Sequence, residues 1–394
     1  MAQIPTKEIE NRIKLLQGRL NEEEADLFLV FQPVDRFYFS GTMLDGLLAV
    51  PKEGEPFLEI KRGIDRAKKE TPISSLLPFS LSKLPSVLAE CGIGEPNRIA
   101  LEFDVLPSSI YLRIREIFPK AEVVNGTPFI MDLRMIKSEY ELSQMRRAAD
   151  VINKVFSRIP ELIEAGEEEI ELAARIEEEF LKEGHQGFVR LRRFGQEMHF
   201  GGIAAGDSAC LPTPFDGPVG VSGLGPASPC SPGRRKIRVG EPIICDLVAG
   251  VNGYLVDKTR VFALKDVPKV IRDAHRFSIE LTRRIEDLLR PGSICEDIYQ
   301  KVISLVSSSP YEDNFMGCGP NKVRFVAHGI GLELDEPPVI APKMKYALVP
   351  GMTLAVEPKF FFPGIGGAGI ENTYIIRENE PEKLTTTSEE IVVI

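Results

Sequence analysis

Asp246 lies in PIICDLVAG and Asp257 in YLVDKTRVF, each carboxylate flanked by apolar residues. A carboxylate buried in such a strand is costly unless it is paired or holds a cation. If Asn252-Gly253 is the two-residue turn of a hairpin, Asp257 falls opposite Val248, and Asp246, two residues from Val248, shares its face. The two acids are then diagonal neighbours, roughly 7–8 Å apart at the backbone, a gap that a metal ion can bridge. The pattern recurs nearer the C-terminus, with Glu357 in MTLAVEPKFF and Glu371 in GAGIENTYII, joined by a Gly/Pro-rich connection. His328, one of four histidines in the 394 residues, stands in RFVAHGIGLELDEPP among glycines and apolar side chains. Four carboxylates and one imidazole bring a charge of about −4, which two divalent cations would neutralise. Such a donor set suits manganese, cobalt, iron or zinc and does not distinguish them. A plainer alternative is ion pairing, for which Lys258, Arg260 and Lys359 are close in sequence.

The elements that must carry these residues are legible from periodicity. Residues Glu8 to Leu20 read as an amphipathic helix, ADLFLVF follows as a strand, and strands alternate with helices to about residue 130, the pattern of an α/β domain. At Ser138 a capping box with Glu141 opens a helix carrying Leu142, Met145, Ala149, Ile152 and Phe156 on one face. A second helix is predicted over about Glu167–Glu183, ending at Gly184, and further helices near 268–290 and 294–306, the last with a capping box from Ser293 to Glu296. Helices and strands in separate blocks indicate α+β with antiparallel sheet, and the order of a helix pair followed by strands occurs twice. Residues 206–236, rich in Gly, Pro and Ser, read as a functional lid or a mobile excursion.

A chain of this length calls for two domains, placed at 1–134 and 138–394, and its 43% hydrophobic and 27% charged residues are those of a globular protein. The net charge of −10, with no Lys/Arg block, argues against nucleic acid as a partner. No apolar run approaches the roughly 20 residues of a membrane span, and the first twenty residues lack the apolar core of a signal peptide. Cys91, Cys210, Cys230, Cys245, Cys295 and Cys318 show no C-x-x-C pairing and read as reduced thiols, so a cytoplasmic location is expected.

The chain resembles the metallopeptidase family of methionine aminopeptidase, aminopeptidase P, prolidase and creatinase. The likeness rests on Asp246, Asp257, His328 in HGIGLE, Glu357 before Pro358, and Glu371 in IENT, all in order and context; DRFYFSG, GLLAVPKEGEP and LRMIKSEYELSQMRRAADV resemble the N-terminal domain and its junction. It implies a pita-bread catalytic domain behind an α/β, ribonuclease H-like N-terminal domain. By the same resemblance two divalent metals are bridged by Asp257 and Glu371, with Asp246 on one and His328 and Glu357 on the other. A hydroxide held between them attacks an amide carbonyl, with Glu357 as general base. The implied substrate is a peptide or small amide, an Xaa-Pro bond foremost, and the implied assembly a homodimer.

Two histidines expected from that resemblance are missing. One position is Asp335; the other falls near Pro229 and Cys230. In the family these side chains contact the substrate carbonyl and the tetrahedral intermediate, so their loss removes transition-state stabilisation. Asp335 could recognise a cationic substrate group or cap the turn ahead of Pro337-Pro338. His199 in GQEMHFGG is the candidate replacement donor in catalysis; His185 and His275 read as solvated. Tyr254, Arg324 and residues 207–231 are where altered substrate contacts are expected. The missing donors keep two other readings open: metal-dependent chemistry on a non-peptide amide, guanidino compound or lyase substrate, and a non-catalytic binding protein.

Overall fold

The computed structural model describes residues 3–394, which form two compact units, one up to Arg134 and one from Met135. The first is a six-stranded mixed sheet in the spatial order Ser75–Pro78, Phe57–Ile60, Gly46–Pro51, Leu27–Val30, Arg98–Leu101, Glu122–Asn125. Leu27, Leu29, Leu47 and Ala49 of its central strands pack with Leu84 and Leu88 of the helix Leu84–Glu90 and Ile114 of Ser108–Ile117. The predicted amphipathic helix is Thr6–Glu22, and its buried Ile9, Ile13, Leu16 and Leu20 follow the helical period.

The second unit repeats one plan. The helices Glu139–Leu162 and Glu169–Lys182 precede the antiparallel strands Gly201–Ala205, Ile243–Val251 and Tyr254–Ala263; the helices Lys269–Leu288 and Cys295–Ser307 precede Ala327–Gly329, Glu336–Ile340, Thr353–Val356 and Asn372–Ile375. Between the last two runs the hairpin of Lys359–Phe362 and Gly366–Gly369. A bridge between Thr259 and Glu371 joins the two sheets, so the acid-bearing strands of both halves meet. The capping box of Ser138 and Glu141 is formed as the sequence indicates.

Three local expectations are corrected. Ser293 and Glu296 form no capping box: the helix starts at Cys295 with Ile294 as its N-cap, and Glu296 Oε1 accepts instead from the Lys343 amide, a long-range partner that spacing does not reveal. His185 is buried, not solvated, because the chain turns back after Gly184 and Nδ1 accepts from the Gly250 amide at 2.9 Å. His275 is buried too, since it lies on the inward face of its helix with Ile271, Ala274 and Ser278. Among the described residues no helix is long and apolar enough to cross a membrane.

Candidate metal centre

The hairpin forms with the expected register: Val248 pairs with Asp257, and Asp246 with Thr259. Strand alternation then sorts the charges. Asp257 and Thr259 face the centre of the unit, while Lys258 and Arg260 point the other way. Lys258 Nζ reaches Asn153 Oδ1 at 2.8 Å and lies over the Phe156 ring. Arg260 donates to the backbone oxygens of Thr259, Glu371, Thr387 and Ser388 and to Asn372 Oδ1. Neither base neutralises the acids, though Arg260 fixes the backbone from which Glu371 projects.

All five predicted ligands converge, four of them buried and Asp246 partly so. Asp257, His328 and Glu371 each offer a ligand atom within 4.8 Å of the others. His328 Nε2 lies 3.7 Å from Glu357 Oε1 and 3.7 Å from Glu371 Oε1. Its Nδ1 is 3.1 Å from the backbone oxygens of Gly329 and Leu334, which only accept, so Nδ1 carries a hydrogen and Nε2 is the nitrogen turned into the cage. Although burial favours the neutral ring, Glu371, Asp335 and Glu357 raise its pKa well above the usual value, so a binding ion displaces the Nε2 proton. Glu371 Oε1 is buried with no hydrogen-bond partner. An imidazole nitrogen, an orphaned carboxylate oxygen and a second acid at this spacing fit a divalent cation that displaces the ring proton.

The other half of the cage differs from the expectation of a second ion. Lys359, fully buried, places Nζ 2.7 Å from Glu357 Oε2, 2.7 Å from Glu371 Oε2 and 3.2 Å from Asp246 Oδ1. The Thr259 hydroxyl lies within reach of both Asp246 Oδ1 and Glu371 Oε2, with one proton to give. Lysine was legible as a pairing candidate, and the spacing to Glu357 was its signal: residues two apart on an extended strand share a face. These neighbours set the protonation of the cage. Burial works against the Glu371 charge, yet Lys359 and His328 hold its carboxyl far below the usual range. Burial raises Glu357 to about 8 against the pull of Lys359, and Asp246 to about 6. Burial and the charge on Glu371 likewise push Asp257 up. Such a cage retains protons that a binding ion must displace.

A cavity of about 50 Å³ opens over the acids, lined by Val248, Phe325, Leu334, Asp335 and, from the Gly/Pro-rich segment, Phe215, Asp216 and Cys230. That segment is therefore a packed wall. Asp335 Oδ1 stands 3.4 Å from His328 Nδ1 and faces the cavity; the turn is capped by its neighbour, as Glu336 Oε1 accepts from the Glu333 amide and Oε2 pairs with Lys137. His199 does not line this cavity. It is exposed, pairs with Glu177 at 2.9 Å, and lines an adjoining cavity of about 520 Å³ that shares Met198, Gly201, Phe215 and Cys230 with the first. The candidate catalytic donor is thus outside the cage, because Met198 and Gly201 on either side of it turn toward the acids while its ring turns toward the helix bearing Glu177. Tyr254 is buried against Tyr140, away from the cavity lining.

The profile of metallopeptidase family M24 matches residues 143–378, and that of the creatinase/prolidase N-terminal domain matches residues 12–136. A Xaa-Pro dipeptidase of Pyrococcus furiosus is 24% identical over 387 residues, covering 98% of this chain and 100% of that protein. Among solved structures, a Xaa-Pro dipeptidase from Bacillus anthracis superposes with a TM-score of 0.83 at 23% identity, covering 98% of this chain and 100% of that one. A prolidase from Pyrococcus horikoshii gives 0.81 at 22% identity, covering 97% and 100%. These likenesses bear out the pita-bread fold with its α/β N-terminal domain.

Proposed function

The chain belongs to metallopeptidase family M24, and on that premise we propose that it hydrolyses a small peptide, a Xaa-Pro dipeptide foremost, at the cage of Asp246, Asp257, His328, Glu357 and Glu371. The observation that carries the reading is the meeting of His328 Nε2, Asp257 and the unpartnered Glu371 Oε1 around one point. Asp257, His328 and Glu371 would hold a divalent cation there. When bound, the ion supplies Lewis-acid polarisation of the scissile carbonyl.

The chain's own residues do the rest. Lys359 holds Glu357 Oε2, which leaves Oε1 free to take a proton from the attacking water and return it to the leaving amine. Phe215, Phe325 and Leu334 restrict bulk water over the cage. Asp335 sets a carboxyl group at its mouth, suited to the free amino group of a dipeptide, while the neighbouring Asp216 is paired with Arg193 at 2.6 Å. Phe215 lines both the cavity over the acids and the larger adjoining one.

The test is a screen of dipeptides, tripeptides and small amides with added manganese(II) or cobalt(II). A Xaa-Pro dipeptide is cleaved only with the ion, and Glu357→Gln lowers kcat by about 10²–10⁴-fold. Ion-loaded protein that leaves every Xaa-Pro peptide intact removes the peptidase assignment. One observation favours a second reading: Asp335 stands where the family resemblance places a neutral donor, which suits a non-peptide amide bearing a cationic group. Cleavage of such amides in preference to dipeptides in the same screen selects it.

A further inference from the structure

Lys359 has no role in the reading above except to hold one oxygen of Glu357, yet it is the most enclosed charge of the site. An ammonium has three protons and no acceptor. Here each proton has a carboxylate partner: Glu357 Oε2, Glu371 Oε2 and Asp246 Oδ1. Two of those oxygens belong to Asp246 and Glu371, carboxylates that the family resemblance assigns to the second ion. Metal–oxygen bonds of about 2.0–2.6 Å would put that ion almost on top of Nζ, and the two like charges exclude each other. We propose that Lys359 is the resident cation of this half of the cage, so that the ammonium substitutes for a second metal and the chain binds a divalent ion only on the His328 side. The inference rests on the metallohydrolase reading for its first ion, but not for the lysine.

A second observation shows that the lysine's seat is built into the hairpin. Lys359 pairs with Gly369, whose φ is +141°, a conformation side chains rarely adopt. A Cβ at Gly369 would lie 2.8 Å from Lys359 Cα and 3.0 Å from its Cγ. The glycine leaves room for the stem on its way into the cage. Charge agrees: four carboxylates with one ammonium and one divalent ion keep a single excess negative charge, whereas adding a second ion beside the ammonium would make the buried cluster positive.

The experiment counts ions. The chelated full-length protein is titrated with manganese(II) by calorimetry, and the bound ion is examined by electron paramagnetic resonance. Wild type takes one ion per chain and shows the spectrum of isolated manganese. Lys359→Met, prepared in manganese so that the four acids are never left bare, takes one ion more than wild type, and the neighbouring ions show magnetic coupling. Two ions in wild type, or equal counts in the two proteins, overturn the proposal. If the variant cannot be folded, the wild-type count alone decides, one ion for the proposal and two or none against it. A wild type that binds none beside a variant that binds one leaves the lysine's role standing and removes the metallohydrolase reading.

Discussion

Replacing Arg260 tests how Glu371 is held in place. The guanidinium is 1% exposed and spends its donors on five oxygens: Ser388 O and Thr259 O at 2.7 Å, Glu371 O and Asn372 Oδ1 at 2.8 Å, and Thr387 O at 3.2 Å. Arg260→Met keeps the length of the stem and removes every donor. Each orphaned buried acceptor costs about 1–3 kcal/mol before relaxation. The acceptors share one site and their costs do not add, so a destabilisation of about 3 kcal/mol is expected. Arg260→Lys recovers little, because three donors on a point charge cannot span a fork that serves two chain segments. Urea unfolding followed by circular dichroism is the assay, as the chain has no tryptophan. Manganese(II) affinity, measured on the folded variant, is the second readout and falls about 10–100-fold as the Glu371 backbone loosens. A stability loss under about 1 kcal/mol, close to the roughly 0.5 kcal/mol scatter of surface changes, refutes the clamp. A full stability loss with unchanged ion affinity refutes the link to Glu371.

Two further outcomes follow from the histidines. Burial lowers His275 to about 4, and its neutral form is fixed because Nδ1 accepts from the Gly369 amide at 3.2 Å while Nε2 donates to Glu389 O at 2.7 Å. The unfolded chain binds the proton first, so this stabilisation is complete above about pH 6.5 and is lost as pH falls towards 4, by about 3 kcal/mol in all. His275→Gln, which offers an acceptor and a donor without titrating, flattens that part of the urea-midpoint profile; an unchanged slope between pH 6.5 and 4 excludes His275 as its source. His199→Ala leaves kcat within about twofold of wild type, since the ring sits on Glu177 outside the cage, an effect below the roughly 10²-fold of a lost catalytic donor. A hundredfold fall in kcat would return His199 to the chemistry.

What the sequence disclosed was whatever depends on short-range period. The turn at Asn252-Gly253 fixes the register that pairs Val248 with Asp257, so the placement of the first two acids followed from counting residues. The Ser138 and Glu141 box followed from a four-residue pattern. His275 was misread because a histidine on an amphipathic helix can lie on either face, and only the strand Gly366–Gly369 packed against it decides which. The apparent box at Ser293 failed for a similar reason, a distant amide at Lys343 outcompeting the local one.

Lys359 is the instructive case, because the same period that disclosed the acids also disclosed the lysine without saying what it would meet. Glu357 and Lys359, two apart on an extended segment, had to share a face, and Lys258 and Asp257, one apart, had to part. That arithmetic alone removes Lys258 and Arg260 from the cage and leaves Lys359 as the base on the acids' side. What it lacks is the third dimension: whether the stem runs along the strand to solvent or folds inward depends on the residue opposite, and that residue is Gly369, ten positions on across a hairpin. With a side chain there, Lys359 would be crowded at its own Cα and Cγ; with glycine, the ammonium reaches three carboxylates and stays buried. On the proposal above, the charge balance of the cage is set in part by a pair of residues outside the five candidate ligands, and a chain that keeps all five candidates need not bind two ions.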